Sequence, residues 1–169
     1  MNEAEPFYRI GVLSDTHGHL DARLFSIFAG VQLILHAGDI GREDVLFELE
    51  MIAPVCAVSG NVDGAPDPRR RPMFRQLETP AGRIALTHGH SNAAPTHNKL
   101  RLIEHFHGFR PQIIVFGHSH IPYFEDTGEV VLFNPGSAGH ARGGHARSVG
   151  LITVAREGDA PHCEHVELG

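Results

Sequence analysis

The amino-acid sequence predicts an α/β fold organised around a parallel sheet, in one domain over residues 1–169. Two observations carry that expectation. Apolar residues make up 41% and charged residues 20% of the chain, a balance that buries a core rather than staying disordered. From Arg9 to Val58, short apolar runs alternate with segments of helical periodicity, which reads β-α-β-α-β with right-handed crossovers.

The first run, Arg9 to Ser14, is β-rich and stops at Asp15-Thr16-His17-Gly18. Asp21 is placed to N-cap a short helix with Leu24, Ile27 and Phe28 on one face and Gly30 just past its end. Leu33 to Leu35 forms a second strand, ending in His36-Ala37-Gly38-Asp39. A helix from about Arg42 carries Val45, Leu49 and Ile52 and is closed by Pro54. Val55 to Val58 is a third strand, ending in Gly60-Asn61-Val62-Asp63. After a Pro- and Arg-rich loop, Met73 to Leu77 and Arg83 to Thr87 read as a hairpin that runs into His88-Gly89-His90. Leu100, Ile103 and Phe106 or His107 mark a third helix, stopped by Gly108. Ile113 to Phe116 is a further buried strand ending in Gly117-His118-Ser119-His120, and strands alone follow from Tyr123.

Composition excludes several function classes. A net charge of −6 and a pI near 6.1 lack the basic profile of a dedicated nucleic-acid binder, which leaves nucleic acid only as a substrate. Cys56 and Cys163 are far apart, so neither a disulfide scaffold nor a thiolate zinc site is expected, and a reducing, cytoplasmic setting is the default. Glu3 and Glu5 stand where a leader would be basic, and no apolar run approaches the roughly 20 residues that span a bilayer. The outlier is histidine: 14 residues, as many as lysine and arginine together.

Five times an apolar strand ends and the next residues are His, Asp or Asn beside glycine: Asp15 and His17, Asp39, Asn61, His88, and His118 with His120. Ligands of open α/β sheets gather beyond the carboxyl ends of strands, so these residues are expected to converge. Asp, His and Asn suit borderline divalent cations. Seven donors exceed one tetrahedral ion and suit two ions sharing a carboxylate, about 3.5–4 Å apart.

Asp15-x-His17, Gly38-Asp39, Gly60-Asn61-x-Asp63, His88-Gly89-His90 and Gly117-His118-x-His120 resemble the signature of the calcineurin-like metallophosphoesterases, in family order. The nearest branch is the small bacterial and archaeal phosphodiesterases, relatives of the retromer scaffold subunit. The resemblance implies a four-layer α/β/β/α sandwich of two mixed sheets flanked by helices. It implies two divalent ions, manganese foremost, with iron, zinc or nickel as alternatives. Asp15, His17 and His120 would hold one ion, Asn61, His88 and His118 the other, with Asp39 bridging. Asn134-Pro135-Gly136-Ser137 matches a family loop beside the site. The implied reaction is hydrolysis of a small phosphate ester, a phosphodiester or a phosphomonoester, by in-line attack of a hydroxide shared by the ions. The alternative is a non-catalytic protein-interaction scaffold on the same fold.

Two departures stand out. Many larger relatives carry a histidine after the motif asparagine to protonate the leaving group; here it is Val62, which leaves His90, then His19 and His140, as candidates. The chain is also longer than the shortest relatives at about Asn92 to Asn98, a segment that either shapes a substrate pocket or is a neutral insertion.

Other residues have plainer readings. His36 is a hydrogen-bonded strand-end residue or one that orients the site, and Asp63 is a turn former or a supporting residue. Arg69-Arg70-Arg71 is expected to be a solvated loop, with a phosphate clamp as the sharper alternative. His97, His105 and His107 belong on a helix surface. His162 and His165 point to opposite faces of a strand. His140 and His145 lie in a Gly-rich loop. Phe124 and Phe109 are candidates for a homo-oligomer surface.

Overall fold

The computed structural model describes residues 6–169; Glu3 and Glu5, on which the leader expectation rests, lie outside them. The first half alternates as the sequence predicts: β1 (Tyr8–Leu13), α1 (Leu24–Ile27), β2 (Leu33–His36), α2 (Glu43–Glu50) and β3 (Val55–Ala57). Then follow β4 (Phe74–Thr79), β5 (Gly82–Thr87), α3 (Lys99–Phe106), β6 (Ile113–Val115), β7 (Tyr123–Asp126), β8 (Val131–Asn134), β9 (Ser148–Val154) and β10 (His162–Glu167).

The strands form two five-stranded sheets, ordered β10-β9-β1-β2-β3 and β4-β5-β6-β8-β7. In the first, β1, β2 and β3 are parallel, with Ile10 opposite Leu33 and Ile34 opposite Val55. In the second, β5, β6 and β8 are parallel, with Ile84 opposite Ile113 and Ile113 opposite Val131. Antiparallel β9 and β10 widen the first sheet, and β4 and β7 edge the second.

Three apolar layers hold this together. Between the sheets, Ile10, Val12 and Leu35 meet Ile84, Ile113, Val115 and Phe133. Outside the first sheet, Leu24 of α1, Phe28 at its C-cap, and Val45, Leu46 and Leu49 of α2 pack on Leu13 and Ile34. Outside the second, Leu102 and Phe106 of α3 cover Ala85, Ile114 and Leu132. The alternation of strand side chains sends Ile113 and Val115 inward and Ile114 outward, so each sheet is apolar on both faces. Helix, sheet, sheet, helix is the four-layer sandwich.

Local expectations need three corrections. Leu100 does not belong to the buried face of α3: it is 80% exposed, while Leu102 and Phe106 are buried and Ile103 half-buried. Leu102 and Phe106 are four apart and lie one above the other on the helix, whereas Leu100 points away. Asp21 does not cap α1, whose N-cap is Arg23; its carboxylate instead accepts from the Arg23 amide and guanidinium. Phe109 packs against the α3 core, whereas Phe124 is exposed. Among the described residues, no helix is long and apolar enough to cross a membrane.

Candidate metal centre

All the parallel strands that precede the predicted donors end on one edge of the sandwich, and the loops beyond them are stitched together. Past the β1–β2 ladder, Asp15 N–H donates to Gly38 O (2.9 Å), His17 N–H to Asp39 O (3.0 Å) and Gly18 N–H to Ile40 O (2.7 Å). Gly117 N–H donates to His88 O (3.1 Å), and His118 N–H reaches across to Asp15 Oδ2 (3.2 Å). The two sheets are thus tied to each other at this edge.

The backbone here is unusual. Asp15, His17, Asp39, His118 and His120 have φ between 49° and 69°, and the one other described non-glycine residue with positive φ is Arg110. The left-handed region costs an L-residue about 1 kcal/mol or more, so five strained residues in one place are held by the surrounding bonds and mark a functional edge. Two glycines let the loops close. A Cβ on Gly60 would lie 2.1 Å from Asp39 Oδ1, and one on Gly38 would lie 2.8 Å from His88 Cβ.

The predicted donors come together. Asp15, His17, Asp39 and His120 each offer an atom within 4.8 Å of the others. Asp39 Oδ2 is 3.7 Å from His17 Nε2 and 3.4 Å from His88 Nε2, so it lies between the two groups of donors. His88 Nε2 is also 3.0 Å from Asn61 Oδ1, and the His118 ring lies 5.1 Å from the His88 ring. Asp15, Asp39, His88 and His120 are buried, while His17 and His118 are half-buried and Asn61 is exposed.

The donor chemistry fits cations. His120 Nδ1 sits 3.2 Å from the carbonyl of His140, an acceptor, so Nδ1 bears the proton. Its Nε2 lone pair then faces Asp15 Oδ1 at 3.2 Å and His17 Nε2 at 3.4 Å. Asp15 Oδ1 is buried and no donor reaches it. The Nε2 lone pair of His120 and Asp15 Oδ1 repel at that distance, and a buried unsatisfied charged oxygen costs more than about 1–3 kcal/mol unless a cation lies among these donors. His88 is set the same way: Nδ1 lies 2.7 Å from Ala37 O, and Nε2 faces Asp39.

Burial pushes the Asp39 carboxyl up, but His88, the Val62 amide and His17 outweigh it and hold it at about 2. Burial pushes His88 down, yet the Asp39 hydrogen bond and the Asp15 charge raise it above the ordinary imidazole value. Desolvation lowers His90 and His118, so both favour the neutral form that ligates or accepts.

The supporting residues have clear contacts. His36 is fully buried: Gly38 N–H donates to its Nδ1 (3.2 Å), its Nε2 lies 3.0 Å from Thr16 Oγ1, and that hydroxyl donates to Ile40 O (2.9 Å). Desolvation holds its pKa at about 4. His36 therefore orients the turn that carries Asp39. Asp63 accepts from Gly41 N–H (2.9 Å) and Gly60 N–H (2.7 Å), tying two donor loops together. Ser137 Oγ donates to Asp15 O (3.1 Å), and Asn134 Nδ2 to Gly117 O (3.0 Å). His90 lies 5.3 Å from the His88 ring, its Nδ1 buried without a partner; His140 lies 5.6 Å from the His17 ring, and His19 is exposed. The arginine run is not aimed at the donors. Arg70 and Arg71 pair with Glu43 at 3.3 and 2.9 Å, and Arg71 also donates to Asp63 O (3.0 Å).

The profile of the calcineurin-like phosphoesterase superfamily domain matches residues 8–157. The chain belongs to that superfamily. It is 38% identical over 136 residues to a probable metallophosphoesterase of Methanothermobacter thermautotrophicus, covering 76% of each chain. To the phosphodiesterase YfcE of Escherichia coli it is 31% identical over 163 residues, covering 82% of this chain and 84% of that one. Among solved structures it superposes on vacuolar protein sorting 29 of Cryptosporidium parvum with a TM-score of 0.76 at 19% identity, over 95% of this chain and 98% of that one. A structure described as a novel archaeal phosphodiesterase gives a TM-score of 0.74 at 24% identity, over 95% of this chain and 99% of that one. These likenesses establish the fold, and the superfamily supplies the coarse activity: a metal-binding phosphoesterase.

Proposed function

We propose that this chain is a binuclear metal-dependent phosphodiesterase, cytoplasmic, acting on small phosphate esters. In this reading Asp15, His17 and His120 hold one divalent ion, Asn61, His88 and His118 a second, and Asp39 is shared. The observation that carries it is the position of Asp39 Oδ2 within 3.7 Å of both His17 Nε2 and His88 Nε2, beside the unsatisfied Asp15 Oδ1. Mixed imidazole, carboxylate and amide donors bind manganese, iron, zinc or nickel, with supply deciding among them; the family resemblance puts manganese first. Two divalent ions against Asp15 and Asp39 leave a net positive centre that attracts an anion on a chain of net charge −6.

Bound there, the ions would supply Lewis acidity, making the attacking water acidic and drawing charge from the phosphoryl oxygens. The protein residues do the rest. The carbonyls of Ala37 and His140 fix the tautomers of His88 and His120, so each presents Nε2 to the centre. His36 and Asp63 hold the loops of Asp39 and Asn61. Val62 is 48% exposed at the rim and has no proton to give, so the half-buried His90, beside His88, is the group offered to the departing oxygen; its lowered pKa makes its imidazolium a stronger but scarcer acid. One histidine without a supporting carboxylate favours acidic leaving groups, hence aryl over alkyl esters. A non-catalytic scaffold leaves the complete donor set without a purpose.

The test is metal-dependent hydrolysis of an aryl phosphodiester with metal analysis. The expected result is about two ions per chain, and turnover that vanishes in Asp39→Asn. One ion per chain, or full activity in that variant, overturns the reading.

A further inference from the structure

Beside the donor loops, on the α3 side, lies a recess of about 190 Å³ lined by Thr96, Lys99, Phe116, Ser119, Ile121 and Tyr123. Two of its walls are built from the loops that carry the donors. Ser119 stands between His118 and His120. Thr96 N–H donates to the carbonyl of Gly89 (3.0 Å), between His88 and His90, and a Cβ on Gly89 would lie 2.1 Å from Thr96 Cγ2. Thr96 belongs to the Asn92–Asn98 segment that the sequence left unassigned. That segment is anchored: Ala94 and Pro95 are buried, and Asn98 caps α3 by accepting from Arg101 N–H (3.1 Å).

Two of the polar side chains of the recess, Lys99 and Ser119, are already engaged. Lys99 Nζ bonds the Tyr123 hydroxyl and Glu125 (2.8 Å). Ser119 Oγ accepts from Asn134 Nδ2 (3.1 Å) and from Ile121 N–H (3.2 Å). What remains for a ligand is the side chain of Ile121, 37% exposed, with the edge of the buried Phe116 behind it, the Thr96 side chain, and the Tyr123 ring, over which Lys99 Nζ lies 4.6 Å from the centroid. A dry apolar cavity of about 150 Å³ holds benzene, so one aromatic ring fits here. On the other side of the centre, the recess lined by Arg42, Glu43, Asp63 and Arg71 is about 100 Å³ and charged. Of these two recesses, the one on the α3 side is the one that suits an apolar group.

We propose that the Phe116–Ile121–Tyr123 recess is the subsite for an apolar, ring-sized group esterified to the scissile phosphate. This rests on the phosphoesterase reading, and it narrows the substrate class to esters whose retained group is apolar. Continuity with the centre is the argument: the walls are one residue from His118 and His120 and one hydrogen bond from the turn between His88 and His90.

The experiment compares two diesters with the same para-nitrophenyl leaving group, one retaining phenyl and one retaining methyl. The metal-loaded protein is expected to prefer the phenyl ester by roughly tenfold in kcat/KM. Ile121→Ser is expected to cut that ratio to a few-fold, and Ile121→Leu to restore it. Independently of turnover, the Ile121 δ-methyl resonance is expected to shift on adding phenylphosphonate and to stay in place with methylphosphonate. A ratio near one, or one untouched by Ile121→Ser, overturns the subsite while leaving the phosphoesterase reading intact. Hydrolysis of neither diester overturns that reading, and the subsite with it.

Discussion

His36 gives a prediction that can be worked from the structure. Its Nδ1 accepts from the Gly38 amide, so the proton sits on Nε2, where Thr16 Oγ1 accepts it and passes its own to Ile40 O. A second proton on Nδ1 would face an N–H donor in a site closed to water. The unfolded chain carries an ordinary imidazole near 6.5, while burial holds the folded one at about 4. Between those values the unfolded state takes up a proton that the folded state refuses. The stability from a neutral His36 is therefore complete above the unfolded value and drains away as pH falls toward the folded one. One proton gives a slope near 1.4 kcal/mol per pH unit, so by about pH 5 the loss is about 2 kcal/mol. The assay is urea unfolding of wild type and His36→Leu at steps from about pH 7.5 to about pH 4.5, with a chelator present so that metal release adds nothing. Leucine loses the hydrogen bonds at every pH, which offsets its curve; other histidines titrate in both proteins and cancel in the difference. The wild-type curve is expected to fall toward the variant's curve by about 2 kcal/mol. A difference that stays constant with pH refutes a buried neutral His36.

Asp39→Asn is expected to lower kcat by about two orders of magnitude or more and to release one metal equivalent, read by elemental analysis. Gly60→Ala puts a methyl 2.1 Å from Asp39 Oδ1 and 2.3 Å from Asp39 N, so it is expected to lower both metal occupancy and the unfolding temperature, measured by metal content and calorimetry together. Leu102→Ala is expected to cost about 2–5 kcal/mol and Leu100→Ala less than about 0.5 kcal/mol in chemical unfolding, which tests the face of α3. Because Asp39 is held at about 2, metal loss on acidification is expected to follow protonation of imidazole ligands rather than of Asp39, read in a metal-occupancy titration.

The site was more legible in the sequence than some of the elements around it. Donors at the ends of parallel strands stand where chain order and sheet order agree, so the spacing of Asp15, Asp39 and Asn61 already placed them on one edge. Helix α3 was harder: Leu100, Leu102, Ile103 and Phe106 offer two overlapping apolar stripes, and only the sheet beneath chooses between them. The arginine run was ambiguous because its partner, Glu43, lies on a distant helix. The left-handed backbone at Asp15, His17, Asp39, His118 and His120 was only faintly signalled: Asp and His enter that region more often than most residues, yet most copies of either do not, and no glycine stands at those positions.

By itself the sequence determined which donor atoms exist and that each follows a buried strand, because apolar runs and the glycines after them are local properties of the chain. Only the tertiary structure decided that loops of two different sheets meet, that a carbonyl of the Gly-rich loop and one of β2's turn set the tautomers of His120 and His88, and that the Asn92–Asn98 segment walls a recess beside them. Those are contacts between residues tens of positions apart, and their energies come from packing the layers together rather than from any short stretch of chain.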